Sequence, residues 1–95
     1  MKLIKEFIEN DKISQNFLVN NVTRGITAKG SGYLNIVLQD ASGTIEAKKW
    51  EIEEYDERIV KPGTIIFVEG DVLLYKNEDN YRSIRYNNNK ATRRT

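Results

Sequence analysis

Residues 32–50 read GYLNIVLQDASGTIEAKKW. Leu34, Ile36 and Leu38 alternate with Tyr33, Asn35, Val37 and Gln39, the period of a strand that commits one face to a core. Asp40-Ala41-Ser42-Gly43 then supplies turn chemistry, an Asp that can bond its own backbone and a Gly free to take positive φ. A second strand follows, with Ile45 and Ala47 inward against Glu46 and Lys48, and it ends at Trp50, the single tryptophan of the chain. A lone hairpin is at best marginal in water, so the rest of the chain must cover its apolar side. Its other side is then the place to look for function.

The flanking segments supply that cover. Leu3, Ile4, Phe7 and Ile8 fall on one side of a helical turn or two. From Ile13, the run Phe17-Leu18-Val19 and then Val22, spaced by Asn16, Asn20 and Asn21, predicts a long, bent first strand. Thr23 to Ser31, with Gly25, Gly30, Arg24 and Lys29, reads as a basic loop before the hairpin. Beyond Trp50, the stripe Ile52, Tyr55 and Ile59 predicts a short helix over 51–60 with an acidic outer side, stopped by Lys61-Pro62-Gly63. Thr64 to Tyr75 is too long for one flat strand, and a bulge or sharp bend is expected at Gly70. Lys76 to Asn80 reads as a hairpin loop, and residues 81–86 as a last strand with Arg82, Ile84 and Tyr86 on one face and Tyr81, Ser83 and Arg85 on the other. Residues 1–86 thus form one domain, and 87–95 a flexible basic tail. Short strands with one helix after the third describe an all-β, five-stranded, partly open Greek-key barrel of the OB type. The main rival, an SH3-like barrel, would not normally need the helix.

Composition narrows the chemistry. Ninety-five residues suit one small domain, and 39% hydrophobic against 31% charged residues is a globular balance. The chain has no cysteine and no histidine, so disulfides and thiolate sites are excluded and the commonest general base is missing. A self-contained metal-dependent hydrolase is correspondingly disfavoured, and no cofactor is expected. The first residues, MKLIKEFIEND, are broken by charges and form neither a signal peptide nor a membrane span, so a cytoplasmic protein without a membrane partner is expected. Net charge is only +1, but its distribution is uneven: Glu51, Glu53, Glu54, Asp56 and Glu57 make an acidic shoulder, whereas Arg82, Arg85, Lys90, Arg93 and Arg94 make a basic end.

The runs FLV at 17–19, residues 32–50 and PGTIIFVEGDVLLY at 62–75 resemble OB domains of the anticodon-binding type. They are most similar to the N-terminal OB domain of the YhaM-like 3′–5′ exoribonucleases of Gram-positive bacteria. The Leu-x-Asp-x-x-Gly-x-Ile pattern with its terminal Trp is shared by many OB domains, and the KLI…F start with the FLV strand points to this subfamily. The resemblance implies a module that binds single-stranded RNA or DNA and is joined, in a parent protein, to a metal-dependent HD-type hydrolase domain that this chain lacks.

OB domains hold single strands with aromatic platforms and phosphate-tracking cations on strands two and three and the loops beside them. Carried over position by position, the candidates are Tyr33, Asn35 and Val37 on strand two, Lys48 and Trp50 on strand three, and Arg24, Lys29, Lys76, Tyr81 and Arg85 around them. Plainer roles compete. Trp50 is favoured as a packing residue where strand meets helix, Tyr55 and Tyr86 read as packing residues, and Tyr33 and Tyr81 serve equally well as cross-strand partners. Lys48 and Lys49 could simply solvate an edge. Glu46, Glu78 and Asp79 lie on or beside the same face and predict weak, salt-sensitive affinity. A carboxylate cluster of Asp40, Glu69 and Asp71 for Mg²⁺ is disfavoured, because Asp40 is better explained as a turn residue. The expected function is low-specificity binding of single-stranded nucleic acid for an exonuclease, with no catalysis by this chain; the alternative is a protein–protein interaction module built on the same barrel.

Overall fold

The computed structural model describes residues 2–76 and 81–87. A 3₁₀ turn at Ile4–Glu6 precedes β1 (Lys12–Ile26), β2 (Gly32–Asp40), β3 (Gly43–Trp50), α1 (Glu54–Ile59), β4 (Ile65–Tyr75) and β5 (Tyr81–Tyr86). The strands close a barrel in the order β1-β2-β3-β5-β4, with β4 returning to β1. Every neighbouring pair is antiparallel except β3 and β5, which run parallel through Glu46/Ser83, Ala47/Ile84 and Lys48/Arg85. The expected barrel is therefore closed rather than partly open. The expected hairpin loop lies almost wholly, and the tail beyond Asn87 entirely, outside the described residues.

Alternation puts the even-numbered residues of β2 and the odd-numbered residues of β3 inside. Ile36, Leu38, Ala47, Val68, Val72 and Ile84 are essentially inaccessible to water. Each large aliphatic side chain so buried contributes roughly 1.5–3 kcal/mol. The N-terminal turn plugs one end of the barrel: Ile4 and Phe7 are buried, and Phe7 meets Phe17 edge to face at 6.2 Å. Arg82 holds that plug, its guanidinium donating to the carbonyls of Ile4 at 2.9 Å and Phe7 at 2.8 Å. Val60, with Ile52 packed against the core, comes from the chain on either side of α1.

Three local expectations are revised. The loop over 23–31 is shorter, because β1 continues to Ile26 paired with β2 and leaves only 27–31 to turn. β4 has no bulge at Gly70; its register runs unbroken against both β1 and β5. A Cβ at Gly70 would lie 2.2 Å from the Arg85 carbonyl oxygen, so glycine is required there by close backbone approach. The bend expected in β1 is there, as a register shift between Val19 and Asn21. There Val19 exchanges hydrogen bonds with Gly63 and Thr64, which dock the start of β4 on β1. Finally, α1 buries none of its six residues, and Tyr55 is 56% exposed, not a packing residue.

Asp40 does more than turn the hairpin. Its carboxylate accepts from the Ile4 amide at 2.8 Å and from the Ser42 amide and hydroxyl at 2.7 Å each, tying the N-terminal plug to the β2–β3 turn. Partial burial works against its ionisation, but the Ser42 hydroxyl and the amides of Ile4, Ser42 and Gly43 outweigh it and hold the carboxyl below its ordinary value. A depressed folded-state value means that this contribution to stability is complete above the unfolded pKa of about 3.9 and is lost as pH falls through the folded value. Urea denaturation should show Asp40→Ala less stable than the parent at neutral pH, with the difference shrinking as the pH is lowered below about 4. Gly70→Ala should cost on the order of 3 kcal/mol in the same measurement.

Candidate nucleic-acid interface

The pleat that buries Leu34, Ile36 and Leu38 turns Tyr33, Asn35 and Val37 outward, opposite Trp50, Lys48 and Glu46 respectively. Parallel pairing extends this outer face onto β5, with Lys48 beside Arg85 and Glu46 beside Ser83, and antiparallel pairing carries it onto β4 through Asp71 and Leu73. Asn35, Lys48, Arg85, Asp71 and Lys12 thus form one row running round the barrel. Between the aromatic ends of this face lies an open groove of about 270 Å³, whose lining includes Asn35, Lys48, Trp50, Tyr75, Tyr81 and Arg85.

At one end Tyr33 and Trp50 stand with ring centroids 5.1 Å apart, and the Lys48 ammonium lies 5.2 Å from the first ring and 5.0 Å from the second. Trp50 is 42% exposed, so it belongs to this face and not to the core. The Tyr33 ring lies across Gly25, its register partner on β1; a Cβ at Gly25 would come within 2.4 Å of the ring. Gly25 therefore fixes where the ring rests. At the other end Tyr75 faces Tyr81 across β4 and β5, ring centroids 5.8 Å apart. Tyr75 was absent from the candidates, although its position directly before the last loop, with Tyr81 directly after it, was a usable signal of cross-strand pairing.

The charges are arranged more economically than the sequence suggested. The Tyr81 hydroxyl donates to the Glu46 carboxylate, so this acid braces an aromatic of the groove. Asp71 accepts from Lys12 and from Arg85, each at 3.1 Å. These two bonds, Lys12 first, hold the Asp71 carboxyl below its ordinary value against a smaller opposing effect of burial. Arg85 is thereby tied across to β4 rather than left to swing.

Of the predicted residues, Tyr33, Asn35, Val37, Lys48, Trp50, Tyr81 and Arg85 share this face. Lys29 is exposed in the 27–31 turn, which borders a hollow shared with Trp50. Arg24 is not brought here: it pairs in register with inward Leu34 and binds Glu57 of α1 at 2.9 Å. Lys76 lies 3.9 Å from Glu9, near the N-terminal segment. Lys49, read as an edge residue, is buried at 5% exposure, its ammonium 3.9 Å from Asp56 and 4.4 Å from the Tyr86 ring centroid. The inward phase set by Ile45 and Ala47 was the signal that could have found it. Among the described residues no group of three or more His, Cys, Asp or Glu is placed to hold a metal ion.

Gly25→Ala tests how the aromatic pair is positioned. The obstructing atoms belong to a movable side chain, so stability should change by less than about 1 kcal/mol, while the Tyr33 ring must leave its place over β1. Altered Trp50 fluorescence and ring-current shifts at Lys48, with an unchanged urea midpoint, are the expected result.

Residues 18–90 match the family described as OB-fold nucleic acid binding domain, of the tRNA anticodon type. The chain is also similar to the 3′–5′ exoribonuclease YhaM of Bacillus subtilis, 41% identical over 66 residues, which cover 70% of this chain and 21% of that protein. Against the 3′–5′ exoribonuclease YhaM of Bacillus velezensis it is 40% identical over 77 residues, covering 79% of this chain and 24% of the relative. The chain thus spans about a fifth to a quarter of the length of these relatives. With its five-stranded mixed barrel and the helix between β3 and β4, the chain belongs to the OB-fold nucleic acid binding domain family.

Proposed function

We propose that this barrel is a cytoplasmic module that binds single-stranded RNA or DNA with little sequence preference and presents it to an exonuclease domain. The observation that carries the reading is the cluster of half-buried Tyr33 and Lys48 with exposed Trp50 at one end of a groove that Tyr75 and Tyr81 close at the other. Bases stack on the aromatic rings, and Lys48, Arg85 and Lys29 track the phosphates. Stacking on a flat ring tolerates any base, which gives affinity without sequence readout. The relatives' name, 3′–5′ exoribonuclease, supports a role in holding a strand for degradation. Hydrolysis itself is assigned to a domain outside this chain.

Trp50 is the only tryptophan, so intrinsic fluorescence reports directly on the groove. Titration with oligo-U, oligo-dT and a duplex should quench it saturably with the single strands only. Tyr33→Ala should weaken binding by about 5- to 150-fold, the equivalent of roughly 1–3 kcal/mol for one stacked base. Three phosphate contacts imply a slope of about −2 for log affinity against log salt, and Lys48→Glu should make that slope shallower. Lack of any single-strand response at low salt overturns the proposal. The purified chain with Mg²⁺ or Mn²⁺ should leave a labelled oligonucleotide intact.

A further inference from the structure

β4 serves two surfaces. Leu73 and Tyr75 face the groove just described, whereas Ile65 and Phe67, on the same outward phase, stand beside α1 at the strand's other half. Ile65 is 62% exposed and Phe67 53%, and with Tyr55 and Ile59 of α1 they border a second groove of about 570 Å³. Four large apolar side chains left together at the surface are what an interface presents before its partner arrives. The setting is acidic on balance: Asp56 and Glu69 line this groove with Lys49, which lies 3.9 Å from Asp56, and α1 adds Glu54 and Glu57 against Arg58. A phosphate backbone would be repelled there, so the site suits protein and not a second stretch of nucleic acid.

Two observations say which protein. The last described residue, Asn87, lines this groove and donates its amide to the Glu69 carbonyl at 2.8 Å, so a polypeptide continuing from β5 emerges at its rim. The residues that follow carry Lys90, Arg93 and Arg94 and no acid, opposite in sign to that rim. The relatives are four to five times as long as the segment they share with this chain. We propose that the α1–β4 groove is the docking surface for the remainder of such a longer exoribonuclease, through a partner face that is apolar at its centre and basic at its edge. The barrel would then hold nucleic acid on one surface and its own partner domain on another, with β4 common to both.

The test compares the isolated chain with a chimera in which it replaces the matching segment of the B. subtilis exoribonuclease, by hydrogen exchange of the amides at 55–69. About tenfold slower exchange in the chimera is expected, and it should be lost in the double variant Ile65→Thr, Phe67→Thr. Both side chains are more than half exposed and threonine suits a strand, so the isolated variant should keep its fold by near-UV circular dichroism. It should also bind oligo-dT as the parent does, which separates failure of this proposal from failure of the nucleic-acid reading. Equal exchange in chimera and isolated chain overturns the proposal. So does sedimentation showing that the isolated chain dimerises and that the double variant does not, because the groove would then belong to a second copy.

Discussion

Three residue pairs, Glu46/Ser83, Ala47/Ile84 and Lys48/Arg85, turn a curved sheet into a barrel. Because β3 and β5 are parallel, no tight turn can join them, and the chain must cross over through α1 and β4 before it can return. The inner member of this seam, Ala47/Ile84, completes the core; the outer members assemble the groove. Without the seam, Lys48 and Arg85 would sit on separate sheet edges and Tyr81 could not reach Glu46. Core and interface therefore rest on one piece of backbone pairing, and what loosens one loosens the other.

Gly70 and Asp40 show how the seam is kept. β4 can be hydrogen-bonded to β1 and β5 in succession only if its backbone passes against the Arg85 carbonyl, where a side chain has no room. Asp40 fastens the far end, coupling the β2–β3 turn to the N-terminal plug that Arg82 also holds. Charged side chains thus do structural work at the barrel ends, where their partners are backbone groups that would otherwise be unsatisfied. The pairs on the rims, such as Lys76 with Glu9, are long and exposed and add little.

Acidic residues on or beside this face have local uses. Glu46 takes the Tyr81 hydroxyl, and Asp71 takes Lys12 and Arg85, so the cations are positioned by carboxylates and not cancelled at random. Of the acidic shoulder, Asp56 lines the apolar groove beside α1, and Glu51 lines the hollow that Trp50 and Lys29 share.

By itself the sequence determined the strands, the hairpin turn, the single helix and the outward set Tyr33, Asn35, Lys48, because these follow from a period of two and from local turn chemistry. It also put Arg82, Ile84 and Tyr86 on one face of β5, and the structure makes that face the inner one at Ile84. Tertiary structure alone decided the closure, the unbroken register at Gly70, and the company each charge keeps. Lys49 is buried against Asp56 and Tyr86, Arg24 is drawn to Glu57, and Trp50 is left outside beside Tyr33. None of those contacts is local in sequence except Lys49 with Asp56, and even that bridges β3 and α1. Periodicity reports which way a side chain points; only the register between distant strands reports what it meets.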